Sequence, residues 1–462
     1  MADNRIGQGP AASEAAAAEA EAYLAAHPQT RTIDAFLVDL NGKAFGKRLP
    51  AGDLRKLYAG GTTMCAAMQL TDAQGTCWDT AGLGFSDGDP DAACRPIPGT
   101  LVPVPWAEEP RAQCLMRFED ASGDLLWYEP RTILGEVVAR FAELELTPVV
   151  AMEMEFYLID RGRLEDGAPQ PPASPVSGQR RMAGNVLGLD PLDEFESVIG
   201  RIAAACREQG LPVTAISKEY GPGQFEINLS HRADALRAAD DAALMRRAVT
   251  GVARAQGYDA TFMSKPFADQ SGSGLQVNLS LADAQGRNVF DPSVRDGRLL
   301  EHAIAGMQAL LPESLAFFAP NFHAYRRFAP DQFTPVTLDW GKNNRSVAFR
   351  VPAGEPASRR IEHRAGGAEA NPYLVLAAAL AAAHHGITGR LEPTAAASGN
   401  VGEAVDPRVP VTLWSALEAM EVGRVLPGYF GERYIAAYAH AKRAEFDAFM
   451  ADILPREYEW YL

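Results

Sequence analysis

Cysteine is scarce in this chain, and the marks of a secreted, membrane-spanning or nucleic-acid-binding protein are missing with it. Cys65, Cys77, Cys94, Cys114 and Cys206 form an odd set with no C-x-x-C pair. This speaks against a disulfide scaffold and a cysteine-ligated zinc site, and fits free thiols in a reducing, cytoplasmic compartment. No apolar run approaches the roughly 20 residues that a membrane helix needs. The Ala-rich opening carries Glu14, Glu19 and Glu21 where a secretory signal would be apolar. Basic residues are outnumbered, 43 Lys and Arg against 59 Asp and Glu, for a formal charge of −16. Phosphate binding needs basic patches, so no nucleic-acid partner is expected. A field of that sign suits solubility or a cationic substrate. The chain also lacks a G-x-x-x-x-G-K-[ST] loop and a well-placed G-x-G-x-x-G, which removes the two commonest nucleotide-binding frames.

What is present is ordinary globular material: 462 residues, 47% hydrophobic and 22% charged, enough for two or three domains. Residues 1–29 read as a tail and a short Ala-rich helix, 30–128 as a sheet-rich domain and 129–462 as a catalytic domain. In the second, runs at 33–40 and 44–49 flank Asn41-Gly42, a strong hairpin signal, and further strands are expected at 101–106 and 113–118. Residues 85–98 read as a polar loop holding Asp87, Asp89 and Asp91. In the third, a helix is expected at 130–144, a buried strand at 147–160 and a Pro/Gly/Ser-rich loop at 161–184. Asp190-Pro191 reads as an N-cap followed by proline at the first helical position, opening a helix that Gly210 stops. Helices at 233–256 and near 299–311, strands at 275–281 and 343–350, and a helical pattern from 368 onward complete the expectation.

The stretch 218–230, KEYGPGQFEINLS, organises the chemistry. Glu219 and Glu226 flank a Gly-Pro-Gly turn, and the alternation that follows places Glu226, Asn228 and Ser230 on one strand face. Taken alone, it could be a solvated hairpin with two surface acids. A second pair, Glu153 and Glu155, stands at i and i+2 in an otherwise apolar strand, so both leave the same face. Unpaired buried charges cost several kcal/mol, so a cation or an arginine must answer them. Ser271-Gly272-Ser273-Gly274 is a loop whose backbone N–H groups can approach a ligand, and Gln276, Asn278 and Ser280 share a polar strand face behind it. Arg345 and Arg350 bracket one segment, and Arg360, Glu362 and Arg364 alternate on another. Strand-borne carboxylates, arginines and a Gly/Ser loop together suggest a polyphosphate pocket with oxygen-only ligation, which favours Mg²⁺ or Mn²⁺.

The ordered motifs MEMEFYL, KEYGPGQFEINLS, FMSKPFADQSGSGLQVNLSL, NNRSVAFRVP and RRIEHRAGGAEANPYLVLAAAL resemble the glutamine synthetase family over about residues 30–462. The resemblance implies an α+β fold, an N-terminal β-grasp domain followed by a glutamine synthetase-type catalytic α/β domain. It implies ligation of ammonia or an amine to glutamate with ATP as co-substrate, through γ-glutamyl phosphate, in a homododecamer of two stacked hexameric rings with active sites between subunits. By motif, Glu155, Glu219 and Glu226 resemble the ligands of a first cation, and Glu153 and Glu362 those of a second. Arg345, Arg350 and Arg360 stand where phosphates are handled, with Asn278 and Ser280 on the neighbouring strand; Ser271, Gly272, Arg327 and Arg364 stand where glutamate is held. Arg345, Arg364 and Arg327 are the candidate catalytic groups. Gln276 replaces the family's usual histidine ligand, Ser271 its common asparagine, and Phe333 the flap glutamate of ammonia-using members; residues 392–406 hold no tyrosine for adenylylation. With Phe333 and the closing YEWYL, the chain looks most like the γ-glutamylpolyamine synthetase branch. Ligases for methylamine or ethanolamine, true glutamine synthetase and a non-catalytic relative are the alternatives. Phe333, Asp72 and Asp89 are the expected amine-binding groups, the acids being lent by a neighbouring subunit.

Overall fold

The computed structural model describes residues 10–182, 184–295 and 298–462. The expected tail at 1–9 lies outside the described residues. Helix α1 (Pro10–Ala26) leads into β1 (Thr32–Val38) and β2 (Ala44–Pro50), paired antiparallel across the Asn41-Gly42 turn. Asp39 builds that turn: its Oδ1 accepts the N–H groups of Asn41 and Lys43 at 2.9 and 2.8 Å. Helix α2 (Leu54–Gly60), β3 (Thr62–Cys65), β4 (Asp91–Pro96), β5 (Val102–Pro103) and β6 (Arg111–Glu119) complete the first sheet. Its order is β2-β1-β6-β4-β3, with β5 also on β6, and β1 and β6 run parallel at its centre in the manner of a β-grasp.

The second sheet is larger. After α3 (Pro130–Ala139) comes β7 (Thr147–Asp160), then α4 (Leu189–Glu194), α5 (Glu196–Glu208), β8 (Val213–Lys218), β9 (Gln224–Leu229), α6 (Ala235–Ala255), β10 (Tyr258–Thr261) and β11 (Leu275–Ala282). Helix α7 (Leu299–Phe318), β12 (Trp340–Lys342), β13 (Phe349–Val351) and β14 (Ile361–His363) precede α8 (Pro372–Gly389), α9 (Leu413–Val422), α10 (Pro427–Phe430), α11 (Glu432–Met450) and α12 (Pro455–Tyr461). The order is β12-β13-β14-β11-β7-β9-β8, with β10 also on β7. Every neighbour is antiparallel except β12 and β13, so helix–strand alternation along the chain does not become a parallel sheet here. The α+β class holds. Alternate side chains of β7 (Met152, Met154, Phe156) enter the core, packed with Phe225 and Ile227 of β9 and Val277 of β11. The opposite face is left for the polar residues of the same strands. No helix among the described residues is long and apolar enough to cross a membrane.

Several local expectations need correcting. Residues 91–96 are a strand, not loop, because Cys94 and Pro96 turn inward and pair with β3 and β6. The expected strand at 101–106 shrinks to two residues, since Pro103 and Pro105 have no N–H to give a ladder. Asp190 does not cap a helix: α4 starts at Leu189 behind Gly188, and Phe195 separates it from α5. Residues 343–350 are not one strand; β12 and β13 are joined by a loop in which Asn343 has φ +49° and the Asn344 side chain accepts from Ser346 N–H. Helix α7 continues through Pro312 to Phe318. Between α8 and α9 the chain forms neither helix nor strand, and Ala397 N–H ties it to the sheet edge by donating to Trp340 C=O.

Candidate active site

Register alone assembles the acids. Glu155 sits directly across from Glu226 on β9, and Glu153 lies between Asn228 on β9 and Gln276 on β11. Glu362 on β14 faces Asn278 on one side and Arg350 on the other. Like charges directly opposite on a sheet repel. The effect is visible in their acidities: burial first, then the charges of Glu226 and Glu362, push Glu153 up to about 7. Burial, followed by Glu226 and Glu219, pushes Glu155 up to about 8. Glu219 and Glu226 are also raised, chiefly by burial. These side chains line a cleft of about 560 Å³ together with Ser271, Gly272, Gln276, Arg327, Phe333, Arg345, Arg350, Arg360, Glu362 and Arg364.

Four of the five acids are held by named protein partners. Glu155 Oε2 accepts from Gly274 N–H and the Gln224 amide, both at 3.1 Å. Glu153 accepts from Asn278 Nδ2 at 2.7 Å, and the Asn278 carbonyl accepts from Arg360 Nε at 2.8 Å. Glu226 accepts from Asn228 Nδ2 at 2.9 Å. Glu362 lies between two guanidiniums, with Arg350 Nη1 at 2.5 Å from one oxygen and Arg364 on the other. Gln276 turns its amide oxygen to Arg364 Nη1 at 3.0 Å. Among the described residues no three acidic, histidine or cysteine side chains are gathered closely enough to hold a metal ion as they stand. The donors are nevertheless all oxygen, and four of the five glutamates are raised in a way that an added cation would reverse. The residue set therefore fits a divalent cation that takes oxygen ligands.

The turn that carries Glu219 is built by its neighbours. Gly223 adopts φ +74°, and a Cβ there would stand 2.7 Å from the Leu158 carbonyl oxygen. Lys218, buried and lowered to about 8, donates to the carbonyls of Glu219 and Gly221. Gln224 accepts from Gly221 N–H at 2.8 Å and donates to the Gly272 carbonyl at 3.0 Å, tying the turn to the Gly/Ser loop. Sequence reasoning gave Gln224 no role, although period two puts it on the face of Glu226 and Asn228. Of the apolar rim it named Phe333 but not Tyr220 or Leu187. Phe333 packs against Tyr220 with ring centroids 5.5 Å apart, and Leu187 lines the same cleft at φ +58°. All three remain substantially exposed, at 55, 46 and 72%.

Not every expected residue reaches the cleft. Asn278 stands beneath it, 5% exposed, between Glu153 and Arg360. Ser280 lies further along β11, opposite Val149, and does not line it. Asp72 and Asp89 do not reach the cleft of their own chain. Asp72 builds a turn, accepting from the N–H groups of Gln74 and Thr76 and from Trp78 Nε1. Asp89, at φ +51°, accepts from the Cys65 thiol at 2.7 Å.

Comparison with known proteins adds a consistent set of relatives. Residues 127–461 match the model of the glutamine synthetase catalytic domain. The chain is 38% identical over 445 residues to the γ-glutamylputrescine synthetase PuuA of Escherichia coli K12, covering 96% of this chain and 94% of that one. It is 33% identical over 420 residues to the γ-glutamylethanolamide synthetase GlnA4 of Streptomyces coelicolor, covering 90 and 89%. The ligand-free structure of GmaS superposes with a TM-score of 0.80 at 28% identity, covering 94% of this chain and 97% of that one.

Proposed function

The chain belongs to the glutamine synthetase family and is an ATP-dependent ligase that forms C–N bonds; we propose that it joins a polyamine, putrescine being favoured, to the γ-carboxylate of glutamate. The observation that carries the choice of amine is the Phe333–Tyr220 pair on the lining of a cleft that also holds five glutamates, five arginines and a lysine. Two exposed rings and Leu187 offer a methylene chain a surface on which to leave water, and offer a bare ammonium ion no matched carboxylate. Similarity to a γ-glutamylputrescine synthetase supports the same reading. Similarity to a γ-glutamylethanolamide synthetase keeps a smaller alkylamine as the second one.

The reaction has two steps. A γ-carboxylate oxygen of glutamate attacks the γ-phosphorus of ATP, ADP leaves, and γ-glutamyl phosphate forms. The neutral amine then attacks the acyl carbon, phosphate departs with the C–O bonding electrons, and the surplus proton of the amine passes to a base. Arg327 and Arg364, with Ser271 and Gly272, would hold glutamate. Arg345, Arg350 and Arg360 would face the phosphate oxygens, Asn278 fixing the direction of Arg360. Positioning and charge neutralisation dominate such transfers, and these arginines supply both. Glu155, Glu219 and Glu226 would hold one divalent cation, and Glu153, Glu362 and Gln276 a second. Bound Mg²⁺ or Mn²⁺ supplies further neutralisation at the phosphate oxygens. The base would be Asp72 or Asp89 of a neighbouring subunit in a double ring of twelve, at work in the cytoplasm. Measuring ADP release with glutamate and a panel of ammonium, methylamine, ethanolamine and putrescine tests this. The highest kcat/KM is expected for putrescine; equal use of ammonium would replace the reading with glutamine synthesis, and no release with any amine would leave a binding protein.

A further inference from the structure

Behind the cleft lies a partly buried group of charges that none of the motifs explains. Glu369 follows β14 and accepts from three donors on two other segments. Ser264 gives it both its backbone N–H and its hydroxyl, the latter at 2.8 Å, and His323 Nε2 lies 3.1 Å from Oε2. Ser264 begins the loop that carries Gly272, and its own carbonyl accepts from Ser273 N–H at 2.8 Å. His323 belongs to the short helix Phe322–Arg327, which ends in Arg327. One carboxylate thus links the loop, the arginine's helix and the segment that follows β14.

Arg327 needs such a neighbour. It is 3% exposed, and its Nη groups donate to the carbonyls of Gly366 and Ala365 at 3.0 and 2.6 Å. Its Nε has no hydrogen-bond partner among the described residues. Carbonyls orient a guanidinium without neutralising it, and a buried charge without a counter-charge costs several kcal/mol. The fields of two carboxylates, Glu369 and Glu155, oppose that burial. Glu155 belongs to the proposed cation set, which leaves Glu369 as the other acid acting on Arg327, and its field also reaches the buried Arg246. Arg246 clamps the Glu369 backbone from behind through the carbonyls of Ala368, Glu369 and Ala370.

We propose that Glu369 is a positioning residue for glutamate: it acts through Arg327 and Ser264, fixing the guanidinium and the Gly272 loop in the arrangement that receives the substrate. This rests on the reading of Arg327 as a glutamate-binding group. The test is Glu369→Gln in the full-length assembled protein, with glutamate titrated calorimetrically in the presence of Mg²⁺ and ADP, and KM for glutamate and ATP measured in parallel. Glutamate affinity should fall about 10- to 100-fold while the KM for ATP stays within about twofold. Glu369→Asp, which keeps the charge, should recover part of the loss. His323→Gln, which keeps Glu369 and Arg327 but removes one donor, should weaken glutamate in the same direction by less, and it serves if Glu369→Gln does not assemble. Unchanged glutamate binding in a folded Glu369→Gln, or in His323→Gln standing in for it, overturns the proposal. So does a parallel loss of glutamate and ATP affinity, which marks a purely structural role. If the unmodified protein binds ATP but not glutamate, the reading of Arg327 fails and this inference falls with it.

Discussion

Single residues decide the chemistry at this site because four of its five acids are each held by one or two named groups. Glu155 and Glu226 face each other across β7 and β9 on the polar side of a well-packed sheet. Their removal costs the core little. Glu155→Ala and Glu226→Ala should each abolish ligation while circular dichroism and thermal unfolding stay near those of the parent; near-full ADP release in either would remove the cation assignment. At the rim, Phe333→Glu places a carboxylate beside Tyr220. Preference should then move from diamine towards ammonium in the same assay, and an unchanged preference would take the ring out of amine selection. An aliphatic amine with a pKa near 10.4 is neutral in about one molecule in 10³ at pH 7. Activity with putrescine should therefore climb from pH 7 to 9, and a flat profile would mean that release of product and not amine attack limits the rate.

At the scale of elements, the β8–β9 hairpin is the part of the sheet that brings Glu219 back to Glu226. It can do so because Gly223 takes a left-handed conformation at the point where a side chain would meet Leu158 and Pro172. Gly223→Ala should destabilise the protein by about 1–3 kcal/mol. Activity should fall further than stability, since the turn also sets Lys218 and Gln224. Denaturant unfolding and ADP release on the same samples separate the two losses; an alanine variant of full activity would show that the turn does not position Glu219. The contrast with residues 343–350 is instructive. That segment alternates as a strand does, yet its ends join different neighbours, β13 pairing with β14 while Asn343 and Asn344 turn outward.

Over the whole molecule, Glu129 joins the first sheet to the helices behind the second: it precedes α3, and its Oε2 accepts from Phe118 N–H at the end of β6. Burial, only partly offset by that bond and by Arg131 and Arg117, pushes it up to about 7 from 4.5. The folded pKa is above the unfolded one, so the contribution is fully present below about pH 4.5 and is lost as pH rises through about 7. The amount is about 3 kcal/mol. Glu129→Gln keeps an acceptor for Phe118 and cannot ionise, so its melting temperature should fall less between pH 5 and 8 than that of the parent. Parallel curves would mean that Glu129 is not the titrating group. The proposed double ring of twelve is checked by mass in solution, and a monomer that ligates at full rate would remove the need for a neighbour's acids.

Much of the site was legible in the sequence because strand faces follow a period of two, a local property of the backbone. Glu153 with Glu155, Gln224 with Glu226 and Asn228, and Gln276 with Asn278 could be placed on common faces from spacing alone, and the oxygen-only donor set followed from their identities. Tertiary structure alone decided which face met which. The pairing of Glu362 with Arg350 and Arg364, the use of Gln276 by Arg364, and the apolar rim of Leu187, Tyr220 and Phe333 join segments that no local pattern relates. Glu369 is the extreme case. It reaches Ser264 across 105 positions of chain, and its value lies in the field it exerts on a buried arginine, which exists only after the strands between them have packed.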